Sequence, residues 1–152
     1  MELSTEFLLE VKASVAVAYE VGETPYGRRR VIPITGGTFE GPRLSGNVVP
    51  GGADWQVVRS DGVFELMALY ELETADGVLV HVTSRGLRHG PPEVLERLAR
   101  GEDDVDPSLY YFRSHVTLEA PAGSYDWLNR SLYVAAGARH SRGVQLRFYR
   151  VL

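Results

Sequence analysis

The chain has 152 residues, 44% of them apolar and 24% charged, with a formal net charge of −4 and no cysteine. That length fits a single domain over 1–152 with room for a real core. The negative balance argues against nucleic acid as the main partner, since phosphate binding needs clustered Lys and Arg, and the missing cysteines exclude disulfides, thiolate catalysis and cysteine-ligated metals.

In chain order, 1–6 is acidic and lacks the basic start and apolar run of a signal peptide. No apolar stretch reaches the eighteen residues that a membrane helix needs. The expectation is a cytoplasmic protein with no membrane partner. Over 7–19, Phe7, Leu9, Val11, Ala13, Val15, Val17 and Tyr19 alternate with a more polar set, which predicts a long strand with one apolar face. A Gly- and Pro-containing turn follows at 22–27. Arg28-Arg29-Arg30 is the one concentration of cations, either a solvated strand end or an anion site.

Extended segments at 30–35 and 38–49 are interrupted by Gly36-Gly37, Gly41-Pro42, Gly46 and Pro50-Gly51-Gly52. Glycine and proline within strands mark bulges and bends, which curled sheets require. Asp61-Gly62 and Asp76-Gly77 are hairpin turn signals that bracket a strand over 63–74, and 78–84 pairs back onto it. The segment 91–101 opens with Pro, carries acid early and Arg late, and ends in Gly, so it predicts one short helix. Strands at 108–120, 125–136 and 144–152 complete the chain. The sum is an all-β fold, a small antiparallel barrel of roughly eight to ten strands with one short inserted helix.

No catalytic signature stands out, and His81, His89, His115 and His140 lack metal-ligand spacing, so no metal is expected. On the strand over 108–120, Tyr111, Arg113, His115, Thr117 and Glu119 share one face. That face points either to water or into a ligand-holding barrel, where Arg113 with His115 or Glu119 can polarise a carbonyl. Asp54, beside Trp55 and after a glycine turn, is either a desolvated base with a raised pKa or a turn-closing acceptor. Glu40 has the same two readings. Trp127 and Tyr125 pack in the core or line a pocket, and Asn129 is placed to hydrogen-bond a ligand.

Four strings point to one family: 36–46 (Gly-Gly-Thr-Phe-Glu-Gly-Pro-Arg-Leu-Ser-Gly), 50–56 (Pro-Gly-Gly-Ala-Asp-Trp-Gln), Tyr111-Phe112-Arg113 and Trp127-Leu128-Asn129-Arg130. In order and spacing, over nearly the whole chain, they resemble domain-of-unknown-function family 3237, also called uncharacterised protein family 0311. The resemblance implies a compact antiparallel barrel, often in a homo-oligomer such as a dimer, with a central cavity near the matched strings. Some relatives resemble cofactor-free cyclases that add a hydroxyl across an alkene and close an oxygen ring. In the family the strand before the second hairpin turn often reads Leu-Asp-x-Arg-Tyr. This chain has Leu66-Met67-Ala68-Leu69-Tyr70 instead, so a cavity lined by Met67 and Leu69 is more apolar and suits a hydrophobic substrate.

The resulting expectation is a cofactor-independent cyclase or isomerase acting on a hydrophobic, oxygen-bearing small molecule. Asp54 or Glu40 would be the base, Arg113 the oxyanion partner and Asn129 the orienting group, while Trp55, Met67, Leu69, His81, Tyr111, His115 and Trp127 would line the site. The alternatives are a barrel that binds a small molecule without chemistry and an interaction protein with a solid core.

Overall fold

The period-two patterning becomes ten strands in the computed structural model, which describes every residue from Met1 to Leu152. They are β1 (Thr5–Val15), β2 (Tyr19–Thr24), β3 (Gly27–Glu40), β4 (Ser45–Val48), β5 (Ala53–Val58), β6 (Phe64–Thr74), β7 (Leu79–His89), β8 (Tyr111–Glu119), β9 (Tyr133–His140) and β10 (Gly143–Val151). One helix, α1 (Pro92–Ala99), lies between β7 and β8. All pairings are antiparallel, and β3 pairs back onto β1. The sheet therefore closes into an eight-stranded barrel with two extra strands.

The extra strands arise because two barrel positions are split. β4 and β5 both bridge β3 and β6, β4 at 38–40 of β3 and β5 at 28–33. On the other side of β3, β2 covers 27–31 and β1 covers 34–40. Between the two halves of β3, Gly36 and Gly37 take φ of +142° and +132°. A Cβ on Gly37 would collide with the Lys12 carbonyl oxygen. Only glycine tolerates both that backbone angle and that approach, so the wall can turn a corner there.

The barrel has two unlike halves. Where β8 ends and β9 begins the interior is solid, with Leu9, Leu72, Val80, Leu128, Tyr133 and Phe148 at 1% exposure or less. A 3-10 turn at Asp126–Arg130 places Leu128 there, and the Tyr133 hydroxyl donates to the Leu128 carbonyl at 2.9 Å. The opposite half, where β7 ends and β8 begins, holds a cavity. At that end α1 buries Val94 and Leu98, which join the same core. No helix is long and apolar enough to cross a membrane.

Three regions differ from the sequence expectation. The segments read apart at 30–35 and 38–49 are joined through Gly36-Gly37 in β3, and Ser45–Val48 is a strand of its own, because the two glycines bend the chain without breaking its pairing with β1. The first strand stops at Val15, and a register shift between Phe7 and Leu9 turns Phe7 outward while Leu8 is buried. The strand expected over 125–136 begins only at Tyr133, because Asn129 folds back. It accepts from the Ala120 N–H at 2.8 Å and donates to the Ala120 carbonyl at 2.9 Å, occupying groups that a strand would have paired.

Candidate functional site

Inward-facing positions on five strands build the polar part of the cavity. β5 contributes Asp54 and Gln56, two residues apart and so on one face. β6 contributes Tyr70, β7 contributes Ser84 and Arg88, β8 contributes Ser114, and β9 contributes Arg139. Ile32, Ile34, Leu66, Phe112 and Leu146 supply much of the apolar wall. The cavity volume is about 60 Å³, enough for several waters or the head of a small organic molecule.

Asp54 is held in its wall by two hydrogen bonds. Its two carboxylate oxygens accept from Gln56 Nε2 at 2.7 Å and from the Met67 N–H at 3.1 Å. Dense packing leaves it only partly exposed. Loss of hydration pushes its pKa up, against the lowering pull of the Gln56 bond and of Arg88. Burial likewise raises the Tyr70 phenol, with the Asp54 charge adding to it. Arg88, 6% exposed, is pushed down to about 10 by burial and by Arg139, and so stays charged at neutral pH. Its guanidinium lies 4.6 Å from the Phe64 ring centre and 5.7 Å from that of Phe112.

Buried polar groups in folded proteins nearly always find partners. Here Gln56 Oε1, Tyr70 OH and Arg88 Nε are buried without one, and all three residues line this cavity. A fourth unpartnered atom, Arg30 Nε, belongs to a residue whose charge acts on Arg88 and Arg139. No three His, Asp or Glu side chains gather where they could hold a metal.

Of the residues singled out from sequence, Asp54 lines the cavity and the others lie elsewhere. β8 alternates strictly. Phe112, Ser114, Val116 and Leu118 point inward, and Tyr111, Arg113 and His115 stand on the outer wall. Arg113 therefore does not meet Asp54. Trp55, Met67 and His115 line an open groove on that outer wall. Leu69 also faces outward, because Leu66, Ala68 and Tyr70 take the inward positions of β6. The Leu-Asp-x-Arg-Tyr departure thus falls outside the cavity and leaves its polarity untouched. His81 faces out and contacts Glu71 on β6 at 2.5 Å. Glu40 is exposed beside Glu10 and Lys12 on the outer surface. Trp127 stacks under Arg43, 3.6 Å from its ring centre. The Tyr125 hydroxyl donates to Asp76 at 2.7 Å, and Asn129 is spent on Ala120.

The residues that sequence reasoning missed are Gln56, Tyr70, Arg88 and Arg139. Gln56 carried a signal, since it sits two positions from Asp54 on the same strand. Arg88 and Arg139 carried none, because arginines near strand ends read as solvated.

A family model described as protein of unknown function (DUF3237) matches residues 3–151. A UPF0311 protein from Rhodopseudomonas palustris is 41% identical over 150 residues, covering 99% of this chain and 97% of the relative. A crystal structure of a conserved protein of unknown function from the same organism superposes with a TM-score of 0.96 at 40% identity, over 100% of this chain and 99% of that one. A structure described as an enzyme from Penicillium herquei has a TM-score of 0.74 at 19% identity, over 100% and 96% of the two chains, and shows a shared fold alone.

Proposed function

Since the chain belongs to the DUF3237 family of proteins of unknown function, whose name carries no activity, we propose a function from the pocket itself. We infer that the protein is a cofactor-independent cyclase or isomerase for a hydrophobic, oxygen-bearing small molecule, with Asp54 as its proton carrier. The observation that carries this reading is the convergence of three unpartnered buried polar atoms on one cavity beside a carboxyl of raised pKa.

A carboxyl whose pKa is raised by burial is a stronger base than an exposed one, and so is better suited to accept a proton and then return it. Arg88 and Arg139 stay charged and bear on an oxygen that gains negative charge. Tyr70 keeps its proton and serves as a donor. In a ring closure, the substrate hydroxyl oxygen would bond to one carbon of an alkene conjugated to a carbonyl. Its proton would pass to Asp54, and the alkene electrons would move to the carbonyl as an enolate facing the arginines. The adjacent carbon would then take the proton back. Atoms and electrons balance with no added reagent. Alignment of the reacting atoms supplies much of the rate gain, with effective molarities of about 10⁵–10⁸ M for well-oriented pairs.

Native mass spectrometry of the purified protein should reveal a captured small molecule. Supplied with that molecule, the wild type should yield an isomer of unchanged mass, while Asp54→Asn should bind it and return it unaltered. Turnover that survives in Asp54→Asn would rule this carboxyl out as the proton carrier. A wild type that only releases the molecule intact would make the barrel a binding protein.

A further inference from the structure

Three arginines converge on the hollow half of the barrel from three strands, Arg30 on β3, Arg88 on β7 and Arg139 on β9. Arg88 and Arg139 line the cavity, and Asp54 is the one carboxylate that lines it with them. Arg30 sits behind; its charge weighs on Arg88 and Arg139, and it feels the charge of Asp54 in turn. The nearest carboxylate to Arg30, Glu20 at 3.8 Å, is half exposed and also contacts Arg28. The interior therefore carries an excess of positive charge.

Burying cations without matching anions works against folding. Arg88 is the clearest case. It is almost wholly buried, its Nε has no partner, and its flat face rests near two aromatic rings rather than on a carboxylate. Arginine is the side chain suited to planar, two-point recognition of an oxyanion. Around it the walls are aliphatic, with Ile32, Ile34, Leu66 and Leu146.

We propose that the lumen takes an apolar molecule bearing one acidic group, a carboxylate or an acidic phenol, which enters with that group toward Arg88 and Arg139. This rests on the reading of the lumen as a small-molecule site. The small cavity encloses the acidic head and the carbons next to it. Asp54 opposes the bound anion while ionised and supports it when protonated.

Benzoate and benzamide have nearly the same shape and differ in charge, so they test this directly by titration calorimetry. Benzoate should bind at least about tenfold more tightly than benzamide, a ratio corresponding to about 1.4 kcal/mol. Arg88→Gln should remove that preference, and Arg139→Gln serves as the second variant if the first fails to fold. Asp54→Asn should bind benzoate more tightly than the wild type. Perturbation of the Arg88 Nε–H resonance should place the ligand in the lumen. Benzamide binding as well as benzoate would overturn the charge inference and leave the lumen site standing. Inorganic phosphate displacing benzoate with equal affinity would overturn the apolar part. Neither aromatic perturbing any lumen resonance at millimolar concentration would overturn both this inference and the site it rests on.

Discussion

Asp54 and Arg113 show how much a single residue's surroundings decide. Both are charged residues on strands with mixed faces, and sequence reasoning paired them as base and oxyanion partner. One lines the cavity and the other stands on the outer wall. The raised pKa of Asp54 has a sign that can be tested. A carboxyl whose folded pKa lies above its ordinary 3.8 favours folding while protonated, and that contribution is lost as pH rises through the raised value. The stability of Asp54→Asn relative to wild type should therefore improve as pH rises from about 4 towards neutrality. The substituted amide would keep the Met67 bond through its oxygen, and Gln56 can turn its unpartnered oxygen towards the new N–H groups. The midpoints should differ by no more than about 3 °C near pH 7, since ~1 kcal/mol moves a domain of this size by a few degrees. Urea unfolding of both proteins across that range measures the difference. A difference that stays flat with pH would mean that Asp54 titrates normally.

Among the elements, β3 was the most legible in sequence and also the most misleading. Gly36-Gly37 and Pro50-Gly51-Gly52 announced bends, and the bends are there. The sequence did not say that the first divides one strand between two pairs of neighbours, because that depends on pairing at distant positions. Gly37→Ala should lower the urea midpoint by an amount corresponding to about 1–3 kcal/mol from backbone strain alone. The contact with the Lys12 carbonyl adds to that cost. An unchanged midpoint would show that the corner at Gly37 relaxes freely. Asn129 teaches the opposite lesson. Its strand-like context suggested a ligand contact, but its amide closes a local backbone pair instead.

At the level of the whole molecule, the barrel divides its interior between stability and recognition. Phe148 is fully enclosed in the solid half. Phe148→Ala should cost about 3–5 kcal/mol, the range for deleting a large buried aromatic, and scanning calorimetry should show a clearly lowered midpoint. Ala68 faces the hollow half. Ala68→Leu should place its extra carbons in the existing space, leave the midpoint within a few degrees, and abolish uptake of the lumen ligand. A large loss of stability in Ala68→Leu would mean that the two halves pack as one. The outer wall also carries apolar groups, Trp55 and Tyr111 among them, so polarity alone does not mark the inside.

The alternation of side chains, the turns, the short helix and the family strings are properties of neighbouring residues, and the sequence by itself determined them. Which face of each strand became the inside, and so which charges share a cavity, was decided only when the strands closed in a ring. A strand has two faces by virtue of its own backbone, but an interior exists only once β3 has met β1. The company of Asp54 thus changed from Arg113 to Arg88 and Arg139, three strands contributing residues far apart in the chain to a space that none of them defines alone.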